Sequence, residues 1–349
     1  FYSKGNPILV AVIEPLSLLK LLLNNITSLD IECSIDAADN SRLANCYLIA
    51  AESIRGLEKA KIHTSFSKFS EWMEAVFGYV YRIVDNRIEF MHRNKLYHNF
   101  VTKSINNNSI NNFSLSIDNK LLFSGIKIGY DKQDYDSVNG RDEFRFTNSY
   151  STGNALTDNV KELVSPYRAD AYGIEYLALK RDEDTTDDKS DNDVFFIGAL
   201  YGIYGTPSAA FEAYLPWREG WTIEGVVSPS TMFNVMYSPR SMLESNISIL
   251  CACTYVIGFT ASEGNSDIRI NGVSEKDAII IPYGDDEERL FMPYKVEVDT
   301  SDIELPADHD ALISITHEDE EYQGYISDID TRFTKEEACK YSLMVKRIF

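Results

Sequence analysis

The chain has 349 residues, 44% of them hydrophobic and 12% aromatic, which is enough apolar material for two or three folded domains. With 54 acidic against 33 basic residues the net charge is -21, and such a surface argues against ordinary nucleic-acid binding and against adhesion to anionic membranes. The five cysteines, Cys33, Cys46, Cys251, Cys253 and Cys339, are odd in number and unevenly spaced, which disfavours a disulfide framework and points to a reducing compartment.

The first residue is Phe1 rather than Met, so the sequence reads as a piece of a longer protein or a processed product. Its longest apolar run, residues 7–23, is broken by Glu14, Pro15 and Lys20 and is too interrupted for a membrane span. It divides instead into a strand, 8–13, and a helix opening at Pro15 with Leu16, Leu19, Leu22 or Leu23, and Ile26 inward. Strands are expected next at 30–35, 47–54 and 59–64.

The following stretch is the most legible. Phe66, Phe69, Met73, Val76 and Phe77 recur at spacings of three and four, which lays one apolar stripe along a helix; Ser65 is placed to cap its start and Gly78 to end it. The period then switches to two on either side of Asp85-Asn86. A two-residue loop there fixes a hairpin register in which Val84 faces Arg87, Ile83 faces Ile88, Arg82 faces Glu89 and Tyr81 faces Phe90. One face is apolar and covers the helix stripe, while the other holds an opposite-charge pair of roughly 0.2–1 kcal/mol.

An Asn-rich stretch, 104–112, reads as a loop or linker. Beyond it strands are expected at 113–117, 121–130, 143–150 and 171–180, with a helix over 158–164 ahead of Pro166. The acidic segment 181–193, RDEDTTDDKSDND, should stay extended and solvated, as the tip of a long hairpin between 174–180 and 194–200. Ser238 and Pro239 open a helix that runs over 241–254. Further strands follow at 267–270, 278–281, 294–298, 311–316, 322–328 and 341–346. The fold class is therefore α+β and β-rich: a small helix-plus-hairpin unit joined to β-barrel or sandwich-like domains. The expected division is 1–103, an α+β domain; 104–200, β-rich; and 201–349, β-rich with one helix near 239–254.

Motifs that declare chemistry are weak. Asp187, Asp188, Asp191 and Asp193 are oxygen donors for Ca²⁺, but they lack EF-hand spacing and read better as a solvated loop. Cys251-x-Cys253 has no second Cys or His cluster to complete a zinc site and reads as buried helix thiols. His63, His92, His98, His309 and His317 form no HExxH, and G-x-S-x-G is absent. Gly198, Gly202 and Gly205 match neither a dinucleotide fingerprint nor a P-loop. Trp217 and Trp221 bracket a polar turn, and are the candidate interface or ligand residues: a stacking platform for sugars, or more simply core or subunit interface. No catalytic, cofactor-binding or metal-binding residue is assigned, and no cofactor is expected.

The segments SIRGLEKAKIHTSFSKFSEWMEAVFGYVYRIVDNRIEFMHRNKLY, IKIGYDKQDYDSVNGRDEFRFTNSYST, ADAYGIEYLALKR, DNDVFFI, FNVMYSPRSMLESN and the closing YQGYISDIDTRF occur in an order that resembles structural proteins of phages and prophages of gut Bacteroidales. The chain is similar, more loosely, to tail hub proteins, whose β-barrels are joined by small α+β inserts with a helix followed by a hairpin. The resemblance implies a non-enzymatic virion component of hub, ring or baseplate type. Its partners would be copies of itself and other virion structural proteins, it would be located in the virion after assembly in the bacterial cytoplasm, and it would not insert into membranes. An acidic surface would let DNA slide past without specific binding. Two other classes stay open. A carbohydrate-binding or adhesin module would expose Trp217 and Trp221 on one face, and a hydrolase would converge acidic residues from distant segments in a deep cleft.

Overall fold

In the computed structural model the described residues are 8–27, 31–130, 147–169, 171–181, 191–198, 213–214, 223–227, 237–263, 269–270, 272–281, 289–332 and 338–349. The chain opens with β1 (Ile8–Ile13) and α1 (Pro15–Ile26), where Pro15 brings the pre-set φ of a first helical residue. α1 buries Leu18, Leu19, Leu22 and Leu23; Ile26, expected inward, is exposed at the last helical position, past the surface on which α1 packs. β2 (Glu32–Ile35), α2 (Ser41–Ala44), β3 (Cys46–Ala50) and α3 (Ala51–Ile54) follow. The strand expected over 47–54 thus stops at Ala50, where Ala51 and Ile54 turn into the core as one helical turn, and residues 59–64 form no strand.

α4 (Phe66–Phe77) is the helix expected from the stripe. Ser65 Oγ accepts from the Lys68 N–H at 3.3 Å, and Gly78 closes the last turn at φ 71°. β4 (Tyr79–Val84) and β5 (Arg87–His92) pair in the expected register, through a turn whose two residues, Asp85 and Asn86, both have positive φ (47° and 66°). Arg82 Nε donates to Glu89 Oε2 at 3.0 Å on one face. On the other, Phe66 meets Tyr81 and Phe69 meets Phe90 edge-on, with centroids 5.1 and 5.4 Å apart, so helix and hairpin cover each other. β2 extends this sheet in parallel beside β5.

Next come α5 (Arg93–Leu96), β6 (His98–Ile105), a 3-10 turn at Asn107–Ser109, β7 (Ile110–Ile117), β8 (Gly125–Tyr130), β9 (Thr147–Ser151) and β10 (Val160–Ser165). The expected linker at 104–112 is therefore mostly the ends of two strands. The expected helix at 158–164 is also a strand, because β10 pairs in parallel with β8 and turns Leu163 into the core. α6 (Ala171–Leu179) replaces the expected strand at 171–180. The segment reads both ways: Ile174 and Tyr176 alternate as in a strand, but Ile174 and Leu177 share a helical face that packs with Ile49 and Phe195. The expected long hairpin does not form; β11 (Val194–Gly198) pairs with β3 instead.

The remaining elements are β12 (Ala213–Tyr214), β13 (Ile223–Val227), α7 (Pro239–Ser245), α8 (Ile247–Leu250), β14 (Val256–Ser262), β15 (Arg269–Ile270), β16 (Val273–Ser274), β17 (Ile279–Ile280), β18 (Tyr294–Thr300), β19 (Ala311–His317), β20 (Glu320–Arg332) and β21 (Ala338–Ile348). The single helix expected over 241–254 is two short ones, interrupted at Asn246. The sheets run β11-β3-β1-β13-β12, β10-β8-β9-β14-β17, β15-β16, β2-β5-β4 and β6-β19-β20-β21-β18-β7. They draw strands from distant stretches, so sheet membership does not follow the boundaries at 103/104 and 200/201. The architecture is a β-rich α+β fold of mixed and antiparallel sheets.

The last of these sheets curls into a barrel that stays open between β6 and β7, which do not pair. Laid flat, its outer strands β6 and β7 would stand about 24 Å apart, yet the connection from Ile105 to Ile110 reaches at most about 17 Å. Phe113 of β7 stacks on His317 of β19 at 4.2 Å and packs on Tyr322 of β20 at 5.1 Å, although three strands lie between β7 and β19. The interior holds Ile105, Val296, Val298, Ile313, Ile315, Tyr341, Leu343 and Val345.

The acidic segment is not wholly solvated. Arg55, 1% exposed at the end of α3, donates from Nη1 to both Asp191 carboxylate oxygens at 2.8 and 2.6 Å, which ties α3 to the entry of β11. Removing one partner of a buried pair strands the other charge in a low-dielectric site. Asp191→Ala should therefore lower unfolding free energy by about 3 kcal/mol, read from the urea midpoint. A midpoint unchanged from the parent would mean that the pair contributes nothing.

Candidate functional site

A concavity among the described residues lies where α2, the end of β5 and α7 converge. Each wall is set by local sequence. Asn40 caps α2, its Oδ1 accepting from the Leu43 N–H at 3.2 Å, and Ser238 caps α7, accepting from the Ser241 N–H at 3.2 Å. Gly78 ends α4 so close to α7 that a Cβ at this position would run into the Ser245 carbonyl oxygen, and its positive φ is itself unfavourable for any other residue.

Buried polar groups bind the walls together. Asn246 Nδ2 donates to the carbonyls of Glu74, Ala75 and Met242 at 3.1, 3.0 and 3.1 Å, which gives the Ala75 carbonyl at the end of α4 a donor and the Glu74 carbonyl one besides the Gly78 N–H. Arg93 donates from Nη2 to Glu74 Oε1 at 2.5 Å and from Nη1 to Asn246 Oδ1 at 3.4 Å. Arg42 reaches Ser245 Oγ and the Ser241 carbonyl, and its guanidinium lies 5.9 Å from the Phe77 ring centre. The buried Tyr237 hydroxyl donates to the Arg42 carbonyl at 2.8 Å.

The resulting cleft has a volume of about 690 Å³ and is lined by His92, Arg42, Arg240, Glu244 and Glu275 among others. Two of its carboxylates, the exposed Glu244 and the buried Glu275, are both taken up by Arg240. Arg240 donates from Nε to Glu244 at 2.8 Å and from its backbone N–H to Glu275 at 2.9 Å. His92 is committed as well: Nδ1 accepts from the Asn94 N–H at 3.3 Å, which leaves Nε2 protonated and donating to the Ser245 carbonyl at 3.1 Å. Burial holds His92 below its ordinary value of 6.5, in the neutral form that this pattern needs. Behind the cleft, burial pushes the Cys46 thiol up to about 12, so it stays protonated and is a poor nucleophile. The arrangement holds a joint together; its hydroxyls, imidazole and guanidiniums are spent on neighbouring backbone and side chains.

The candidates singled out from the sequence fall elsewhere. Trp217 and Trp221 lie outside the described residues, as do Asp187 and Asp188. Asp191 serves Arg55, and Asp193 Oδ2 lies 4.0 Å from Arg168 Nε. Cys251 Sγ points to the Ser248 carbonyl and Cys253 Sγ to that of Phe123, so the two thiols diverge. Among the described residues no group of three or more His, Cys, Asp or Glu is placed to hold a metal ion. Two histidines pair with carboxylates at the surface, His63 with Glu52 at 2.8 Å and His98 with Asp308 at 2.7 Å. Arg42 and Arg93 carry no signal in the sequence, and Asn246 stands out there only in Asn246-Ile-Ser248, an Asn-x-Ser match that an Asn-rich chain produces by chance; the helix start at Ser238 is the nearest pointer to all three.

Two outcomes follow from the joint. Gly78→Ala forces a left-handed backbone on a residue with a Cβ and drives that Cβ into Ser245, so it should cost at least about 2 kcal/mol in chemical denaturation. His92 binds its proton more weakly in the fold than in the unfolded chain, so its contribution is fully present above pH 6.5 and is lost as pH falls through the lower folded value. Unfolding free energy measured against pH should therefore fall less steeply below 6.5 in His92→Gln than in the parent; parallel curves would remove His92 as a source of acid sensitivity.

No family model matches the chain, and no curated protein matches it in sequence.

Proposed function

We propose that this chain is a non-enzymatic structural component of a phage virion, of hub, ring or baseplate type, acting through its subunit interfaces. One observation carries the reading. β4, β6, β7, β10 and β17 are outer strands of their sheets, and each bears a large exposed apolar residue: Ile83, Phe100, Ile117, Val160 and Ile280, from 53% exposed at Val160 to 73% at Ile280. Unpaired backbone beside apolar side chains invites another chain, and on β7 and β17 neither charge nor proline guards the edge. An assembly subunit uses such edges. The resemblance to phage structural proteins supports the same reading, and an acidic surface suits a path along which DNA must not stick. Among the described residues no helix is long and apolar enough to cross a membrane.

The test is direct. Gradient-purified particles from a host carrying the gene should contain the chain at a fixed copy number per particle in quantitative mass spectrometry, and antibody labelling in electron microscopy should mark one part of the particle. Particles of normal composition that lack the chain would rule the reading out.

A further inference from the structure

Of the outer strands longer than five residues, β7 is unlike the rest. β4 carries Arg82, β6 carries Lys103 and β10 carries Lys161 and Glu162, whereas β7, eight residues long, carries no charge and no proline. The neutral stretch extends over residues 104–117 in a chain where 25% of residues are charged. β7 pairs with β18 along one edge, and among the described residues no strand lies along the other. Asn111, Asn112, Ser114, Leu115, Ser116 and Ile117 are all exposed.

We infer that β7 is a self-pairing edge, joined antiparallel to the β7 of a second copy so that two barrels share one continuous sheet; this rests on the assembly reading and names the surface it uses. The sequence pattern of β7 selects the partner. Its register against β18 sets Phe113 opposite Val298, Leu115 opposite Val296 and Ile117 opposite Tyr294, so these three share the face that the barrel turns inward. A twofold axis through Leu115, perpendicular to the sheet, keeps the inward faces of both copies on one side. It sets Leu115 against Leu115, Phe113 against Ile117 and Ser114 against Ser116, which brings apolar to apolar and hydroxyl to hydroxyl along the shared edge. Charge points the same way. Two copies at -21 each repel over most of their surface, and a neutral strand is where they approach at least cost.

The register makes the test specific. In sedimentation velocity the full chain should self-associate with rising concentration, and more strongly at higher salt, because screening reduces repulsion between two acidic copies. The pair S114K/S116K sets lysine against lysine at both crossings and should weaken association by about tenfold. The pair S114K/S116E sets lysine against glutamate and should retain it. Thermal melting and near-ultraviolet dichroism matching the parent confirm that each variant is folded. A parent that stays monomeric at the highest soluble concentration overturns the inference, and so does equal loss in both variants. If both variants associate like the parent, copies meet elsewhere: the strand assignment fails, while the assembly reading is judged separately by the particle composition.

Discussion

The last turn of α4 ends with carbonyls short of helical N–H donors, and one side-chain amide, Asn246 Nδ2, from 171 and 172 residues further along the chain, answers that of Ala75 and adds a second donor to that of Glu74, which also takes the Gly78 N–H. A buried carbonyl left unpaired costs free energy comparable to a lost hydrogen bond, so the end of α4 can be buried only if α7 and α8 are docked against it. Gly78 makes that docking possible by leaving room for the Ser245 carbonyl, and Arg93 closes the arrangement by taking Glu74 on one side and Asn246 on the other. The helix-and-hairpin unit, α7 and the cleft between them are therefore one construction. Disturbing any of the three groups at its centre exposes polar atoms belonging to the other two.

The same constraint explains which parts were legible in the sequence. α4 and the β4–β5 hairpin are specified by neighbours a few residues away: a stripe, a cap, a left-handed glycine and a two-residue turn, all of which leave a periodic trace. Asn246 leaves none, because a lone Asn in a helical stretch looks like any helix interruption until its distant acceptors are known. α6 and β10 were misread for a related reason. Ile174 pairs with Tyr176 on a strand period and with Leu177 on a helical one, Leu163 fits either, and the decision is made by partners elsewhere, the Ile49 and Phe195 core for α6 and β8 for β10. A barrel or sandwich is the kind of domain expected, but the curl of the sheet depends on Phe113 reaching His317 and Tyr322 across the interior, a contact between segments roughly two hundred residues apart.

Charge is distributed by burial. Among the buried guanidiniums, those of Arg55 and Arg93 are held by carboxylates and that of Arg289 by the Cys251 carbonyl and the Tyr255 ring, while the half-buried Arg42 is held by a serine hydroxyl, a carbonyl and the Phe77 ring. Basic residues drawn into such roles are not available at the surface, so the acidic excess counts for more there than the composition alone implies. Repulsion between copies then becomes the default, and association has to be confined to surface that carries neither the excess charge nor a guarding one. Apolar side chains alone do not meet that condition, since the exposed Ile83 and Val160 sit on strands with charged neighbours. An uncharged edge strand meets it and in addition offers backbone donors and acceptors whose geometry dictates direction and register. On the proposed assembly, specificity would therefore reside in main-chain pairing at a neutral edge, with the surrounding charge acting to exclude other contacts.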